Sequence, residues 1–259
     1  MHDIDLARSE RERLAHDQGI DRVGYNAVLQ NSAAYYAARR EEIIRQTLAQ
    51  FDGGRFLELG SSSWRSWIEK TGVEPGSLTC INISQRELDK GIAASQSTRI
   101  KPEFLLMDAN NLDFEDNTFD VVYGGGILHH LQFERALDEV RRVLKPGGAM
   151  VFEEPLNVNP VGKLVRLLTP RARTEDEQPL GNAELELCAN RFSMRSHYLQ
   201  FLSVPAGVIT GLLKMGAQNV ATRAAFALDE WLLKAIPAIG RFYRHVVLIG
   251  YKPQPTGRA

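Results

Sequence analysis

The stretch Phe56-Leu57-Glu58-Leu59-Gly60-Ser61-Ser62-Ser63-Trp64 is a short apolar run that enters a glycine and three small hydroxyl residues, then a helical pattern. A buried strand followed at once by a helix is the first βα unit of an α/β sheet, and such sheets bind ligands beyond the carboxyl ends of their strands. The turn is therefore expected to receive a phosphate or a nucleoside. Glu58, two residues before the turn glycine, falls near the strand end. There a carboxylate is costly in a dry core but useful against a cationic ligand group.

The chain downstream repeats this alternation. Strand-like runs at 56–59, 78–83, 104–107, 119–123 and 149–153 are separated by helical or turn-rich connections. Such alternation predicts a parallel, doubly wound α/β sheet with right-handed crossovers and helices on both faces. The clearest helix is 133–144, with Leu137, Val140 and Leu144 on one face and Lys145-Pro146-Gly147-Gly148 as its stop. Upstream, residues 6–18 are densely charged and read as a surface helix or an arm that orders only against something else. Asn31-Ser32 is then expected to cap a helix running to about Gln50 and lying across the strand ends. Tyr35 and Tyr36 on that helix are lid contacts or, as aromatics at helical spacing more often are, core packing.

Composition limits the partners. A chain of 259 residues fits one large α/β domain, or one domain with an appended lobe, and 31 basic against 32 acidic side chains give no global field that selects nucleic acid or an anionic membrane. Cys80 and Cys188 are too few for a disulfide framework, and no signal-peptide pattern opens the chain, so the expected address is cytoplasmic. The uncharged stretch 198–213 contains Pro205, Gly207 and Gly211 and falls short of the ~20 apolar residues a spanning helix needs. It is expected to be a strand entering a cap helix, with no transmembrane segment. The continuously apolar Val246-Val247-Leu248-Ile249 predicts an interior final strand over 244–251. The expected organisation is an N-terminal helical lid over 1–50 and an α/β domain over 51–259, with a cap inserted at about 156–240.

Five motifs in order carry a family resemblance. They are Leu57-Glu58-Leu59-Gly60, Ile81-Asn82-Ile83-Ser84, Met107-Asp108-Ala109, the run 114–122 followed by Gly126-Ile127-Leu128-His129-His130-Leu131, and Arg142-Val143-Leu144-Lys145-Pro146-Gly147-Gly148. Over residues 55–155 the chain resembles a class I S-adenosylmethionine-dependent methyltransferase of the small-molecule type, with motifs like those of ubiquinone and menaquinone methyltransferases. The resemblance implies a seven-stranded, mostly parallel Rossmann-like sheet, with the last strand antiparallel beside strand five. It implies S-adenosyl-L-methionine as cofactor and a binding set of Glu58, Gly60, Ser61, Ser62, Asn82, Ile83, Asp108, Ala109 and Gly124. In that set Gly60 lets the backbone approach the cofactor, and Asn82, 22 residues after Gly60, meets the ribose diol. Asp108 accepts from the adenine amino group, the Ala109 N–H faces the ring, and Gly124 lines the sulfonium end.

Two positions depart from the pattern. The family's second and third turn glycines are Ser62 and Trp64 here, and its ribose-binding acid is Asn82. Either side chains crowd the cofactor, or the serine hydroxyls serve its carboxylate end and Trp64 packs the first helix onto the sheet. Methyl transfer is an in-line displacement that mainly needs proximity, with a base only where the nucleophile must lose a proton. His129 and His130 are the candidates, and His130 is favoured because residues 127, 130 and 131 share a helical face. The remaining histidines have no zinc-like spacing with one another or with the cysteines, so no metal is expected. Lys163, Arg166, Arg171 and Arg173, followed by Thr174-Glu175-Asp176-Glu177, form either a salt-bridged surface or a basic rim for an anionic or lipid-linked acceptor. The expected function is methyl transfer to a hydroxyl, less readily an amine, of a small molecule. The competing reading is a methyltransferase-like binding module or a non-methylating enzyme.

Overall fold

A computed structural model describes residues 2–19, 23–168, 174 and 176–254. Helix α1 (His2–Gln18) and the long α2 (Val23–Leu48) precede β1 (Arg55–Leu59), β2 (Ser77–Asn82), α3 (Gln85–Ser95), β3 (Glu103–Leu106), β4 (Phe119–Gly125), α4 (Phe133–Val143) and β5 (Leu144–Pro155). Then follow α5 (Pro160–Leu168), α6 (Asn182–Arg191), β6 (Ser193–Leu199), α7 (Ser203–Leu212), α8 (Val220–Ala235) and β7 (His245–Tyr251). The seven strands lie in the order β3-β2-β1-β4-β5-β7-β6. β1 to β5 pair in parallel, whereas β7 is antiparallel to both β5 and β6.

The order reverses direction between β1 and β4, which opens a crevice at their carboxyl ends. Two apolar layers hold the sheet. One contains Leu57, Leu59, Val122, Leu137, Val140 and Phe152, so that α4 packs through the face its sequence predicted. The other joins Phe56, Trp64, Trp67, Val121, Val247 and Ile249 to Ile43, Ile44 and Leu48 of α2. β7 is buried along its middle because a strand is paired on each side of it, which explains its unbroken apolar run.

Several expectations change. α2 begins at Val23 rather than being capped by Asn31-Ser32. Asn31 sits inside the helix with its amide donating to Thr210 Oγ1 and the Met215 carbonyl, each at 3.1 Å, so its polarity serves a helix contact and not a cap. Tyr36 is core: its hydroxyl bonds buried Glu153, which also lies 2.6 Å from His245 Nδ1, while Tyr35 packs against Phe226. β5 starts at Leu144 instead of Ala149, with the proline-glycine stop forming an irregular first pairing to β4 before the register resumes at Val121 and Ala149. The expected strand and cap helix over 198–213 resolve into the end of β6 and α7. β6 itself begins earlier, at Ser193, where exposed polar positions hide its alternation. Arg171, Arg173 and Glu175 lie outside the described residues. Of that charged stretch, Arg166 pairs with Glu177 and Asp176 with Arg11.

Candidate cofactor and active site

The turn after β1 is built by Glu58. Gly60 takes φ +109° and Ser61 φ +55°, a left-handed step in which glycine is the natural first residue. Glu58 is fully buried beneath it, and its Oε1 accepts from the Ser63 amide at 2.6 Å, the Ser63 hydroxyl and the Trp64 amide at 3.1 Å. Its Oε2 accepts from Cys80 Sγ at 3.1 Å. Burial pushes the Glu58 carboxyl above its ordinary range despite these donors. The expectation that Glu58 meets a cationic ligand group is therefore corrected. Its oxygens point at the turn's own amides, and it holds the turn instead of touching what lies above.

That clamp accounts for the missing glycines. Trp64 has ordinary right-handed helical angles (φ −54°, ψ −33°), so nothing there requires a residue without Cβ, and its indole is buried beside Trp67 and Ile68 in the second core layer. Ser62 is exposed and borders the crevice, whereas Ser61 is buried and accepts from Asn82 Nδ2 at 3.0 Å. Ser61 thus departs from its expected contact with the cofactor, since its hydroxyl faces inward.

Asn82 is spent in the same way. Its Nδ2 also donates to the Gly60 carbonyl at 2.8 Å, and its Oδ1 accepts from the Ser84 amide at 2.9 Å. An aspartate has no donor to offer Gly60, and its charge would face a carbonyl oxygen. Asn82→Asp is therefore expected to weaken cofactor binding and lower stability by about 1–3 kcal/mol. Calorimetric titration with S-adenosylhomocysteine, alongside urea denaturation, checks this, and unchanged or tighter binding would contradict it.

The crevice is a cavity of about 390 Å³. Gly60, Ser62, Asn82, Ile83, Asp108 and Ala109 border it, as do Gly125 and Gly126 at the end of β4. Gly124 does not border it. A Cβ there would lie 2.6 Å from Ile127 Cγ2 and 2.9 Å from the Leu59 carbonyl, so this glycine permits strand packing, and the next two supply the wall. The opposite side is α1, which contributes Arg8, Ser9, Glu12 and His16. Its anchors explain why so charged a helix has a fixed seat. Ser9 Oγ donates to Asp108 Oδ2 at 2.9 Å, Ser84 Oγ to Asp17 Oδ1 at 2.5 Å, and Arg11 binds Asp176 at 2.7 Å. Asp108 Oδ1 accepts from the Asn110 amide and side chain, each at 2.8 Å.

The two histidines take different partners. His130 borders the cavity, with Nδ1 3.1 Å from Glu12 Oε2 of α1 and 3.3 Å from Thr174 Oγ1, while Nε2 is buried with no hydrogen-bond partner. Burial raises the Glu12 carboxyl, but the nearby His130, Thr174 and His16 more than offset it, and the net shift is downward. His129 lies behind, with Nδ1 2.6 Å from Glu154 Oε2, and Glu154 Oε1 accepts the amides of Ile127 at 3.0 Å and Leu128 at 2.8 Å. Glu12, His16 and Glu154 were not singled out from the sequence. Glu12 and His16 are i and i+4 on a charged helix, and Glu154 follows a glutamate at the end of β5, so neither pattern distinguishes them from surface charge. The fold also brings ligand atoms of Glu12, His16 and His130, and of His129, His130 and Glu177, within 4.8 Å of one another, groupings that spacing along the chain did not show. Glu12 Oε2 and His130 Nδ1 approach to 3.1 Å, and the other carboxylate oxygen of Glu12 accepts from the Thr174 hydroxyl at 2.6 Å.

A family model described as a methyltransferase domain matches residues 57–152, the segment that supplies β1 to β5 and every turn bordering the cavity from the sheet. Over this segment the chain is similar to methyltransferase domains. The chain is 30% identical over 165 residues to phthiotriol/phenolphthiotriol dimycocerosates methyltransferase 1 of Mycobacterium ulcerans, covering 62% of this chain and 59% of that one. It is 27% identical to a demethylmenaquinone methyltransferase of Bacillus cereus over 61% of this chain and 68% of the relative. It is 28% identical to an O-methyltransferase of Penicillium expansum over 55% and 53%. The chain thus spans between about half and two thirds of the length of these relatives. Among solved structures, geranyl diphosphate C-methyltransferase from Streptomyces coelicolor superposes with a TM-score of 0.59 at 14% identity, covering 83% of this chain and 79% of that one. The [4+2]-cyclase SpnF superposes at 0.54 and 20%, covering 83% and 81%. Both likenesses are of fold.

The family's cofactor is S-adenosylmethionine, and the cavity suits it on two grounds. The Asp108 carboxylate at the cavity edge accepts from the Ser9 hydroxyl of α1, so it is placed to accept from a neutral donor. The wall beyond β4 is bare glycine backbone, which allows close approach of a sulfonium.

Proposed function

We propose that the chain transfers a methyl group from S-adenosylmethionine to a hydroxyl oxygen of a small-molecule acceptor, with His130 taking the proton. The observation that carries this reading is the His130 ring on the cavity wall, its Nδ1 against the buried carboxylate of Glu12 and its Nε2 without a partner. A carboxylate at Nδ1 fixes the tautomer that carries a proton there and leaves Nε2 as an acceptor. Glu12 belongs to α1, so the helix that closes the cavity also supplies the group that orients the base. His129 is held by Glu154 at the end of β5 and supports the turn from which His130 projects.

In this reading Gly60, Ser62, Asn82, Ile83, Asp108 and Ala109 hold the cofactor, Glu58 and Ser61 shape the turn beneath it, and Gly125 and Gly126 flank its reactive end. The bound cofactor supplies an electrophilic methyl on a sulfonium. The protein positions the acceptor oxygen in line, excludes water under α1 and accepts the hydroxyl proton at Nε2 of His130. An amine acceptor needs no such base in its neutral form, which is why the hydroxyl is preferred. The comparisons include O-, C- and N-methyltransferases, so the choice rests on the histidine.

Titration with S-adenosylmethionine tests the reading at its first step. Asp108→Ala is expected to weaken cofactor binding by about 1.5–3 kcal/mol, the range for a hydrogen bond to a charged group, with the circular dichroism spectrum unchanged. Absence of binding by the parent chain would reject methyl transfer, and undiminished affinity in a folded Asp108→Ala variant would remove Asp108 from the cofactor site.

A further inference from the structure

The helices after β5 carry an apolar surface that the fold does not use. α5 buries Val165 against Leu29 and Val204, yet Leu167 and Leu168 at its end are 73% and 71% exposed. α7 buries Val204, Gly207 and Thr210 inward and leaves Ile209, Leu212 and the following Leu213 outward, with Leu212 80% exposed. α8 turns Thr222 and Asp229 inward and shows Val220, Leu228 and Trp231 to the outside. α5 packs on α7 and α7 on α8, so the three helices are neighbours. Scattered exposed leucines are ordinary, but apolar outer faces on three neighbouring helices mark an interaction surface.

Charge selects the partner. Lys163, Lys214, Arg223 and Lys234 are exposed on the segments that carry these stripes. The acids of α8 are committed elsewhere: Asp229 is buried and accepts from the amides of Phe201, Leu202 and Ser203, while Glu230 pairs with Arg39. A two-fold contact between copies would set these like charges against one another, because such an interface repeats one patch on both sides. An anionic bilayer matches both the apolar stripes and the cations. We propose that α5, α7 and α8 form a docking face that rests on an anionic lipid surface. Trp231 is placed as its interfacial anchor, an aromatic with an apolar body and one polar N–H. The contact is a surface one, since no helix among the described residues is long and apolar enough to cross a membrane.

One ion pair links the face to the residues behind the cavity wall. Arg166 in the last turn of α5 is ion-paired with Glu177, whose Oε1 is 4.0 Å from His129 Nε2. An apolar acceptor dissolved in the bilayer would then arrive beside the histidine pair. That route rests on the methyl-transfer reading, whereas docking itself does not.

The test uses the full chain with vesicles of phosphatidylcholine alone and of phosphatidylcholine with phosphatidylglycerol. Trp64 and Trp67 are each 1% exposed and Trp231 is 61% exposed, so a change in tryptophan emission on mixing reports on the docking face. Co-sedimentation with the anionic vesicles, a blue shift of emission and a partition coefficient at least tenfold lower in L167E/L168E are expected. A several-fold loss is expected for Arg223→Glu and in high salt. These positions are on the surface, and circular dichroism confirms the fold, with Trp231→Ser as a second variant should the double one fail. Binding unaltered in folded L167E/L168E and in Trp231→Ser, or no binding to anionic vesicles, would overturn the proposal. In the latter case a concentration-dependent dimer abolished by Leu212→Glu would assign the face to a second copy of the chain. Cofactor titration of the same samples keeps the two ideas apart: vesicle binding without cofactor binding retains docking and rejects methyl transfer, and the reverse retains methyl transfer and rejects docking.

Discussion

Glu58→Ala is expected to lower unfolding free energy by about 3–5 kcal/mol and to remove cofactor binding in the same step. The substitution strips an acceptor from two amides and a hydroxyl beneath the Gly60 turn, and a buried donor left unmade costs roughly 1–3 kcal/mol. Cofactor affinity falls with stability because the turn's shape depends on that one carboxylate. Glu58→Gln keeps an acceptor oxygen in place and sheds the buried charge, so its loss is expected to be small. The variants also differ in pH dependence. The folded carboxyl holds its proton better than the unfolded one, so its contribution is fully present below the ordinary carboxylate range and is lost as pH rises through the raised folded value. Glu58→Gln should flatten that part of the stability–pH curve. Urea denaturation of the three proteins across pH 4–8 measures both effects, and an alanine variant as stable as the parent would show that the turn stands without its clamp.

His130→Ala is expected to lose about 10²–10⁴-fold in turnover at nearly constant cofactor affinity, the usual scale for a general base. Glu12→Gln should lose less, because the imidazole stays but its Nδ1 proton is no longer held by a charge. His129→Ala should act mainly on stability, since it leaves the buried Glu154 carboxylate without its histidine partner while two backbone amides still bind it. Single-turnover rates with an identified acceptor separate these outcomes. Equal rates for the parent and His130→Ala would mean that proximity alone carries the transfer.

The sheet was legible in the sequence because its signals are local. Phe56 to Leu59, the apolar face of α4 and the run Val246 to Ile249 each declare their element through nearest-neighbour periodicity, and motif order placed them in one family. The cavity residues Gly60, Ser62, Asn82, Ile83, Asp108 and Ala109 were legible for the same reason, since each sits at a strand end fixed by that order. Where side chains point was not. Glu58 reads as a ligand group on position alone, yet three donors from Ser63 and Trp64 turn it inward, and Asn82 reads as a neutral ribose contact while its amide braces the Gly60 carbonyl. Asn31 and Ser32 have the composition of a cap and lie inside a helix: the Asn31 amide donates to Thr210, far along the chain, and the Ser32 hydroxyl donates back to the Leu29 carbonyl.

The sequence by itself determined the α/β class, the strand-end turns and the pair His129-His130, since backbone periodicity and turn chemistry are set within a few residues. Only the tertiary structure decided that α1, and not α2, closes the cavity. Only it decided that Glu12 faces His130 while Glu154 takes His129, and that Ser62 and Trp64 can stand where glycines are usual. The reason is physical: a charged side chain's role depends on which opposite charge or orphan amide reaches it through space, and neither appears in the spacing along the chain.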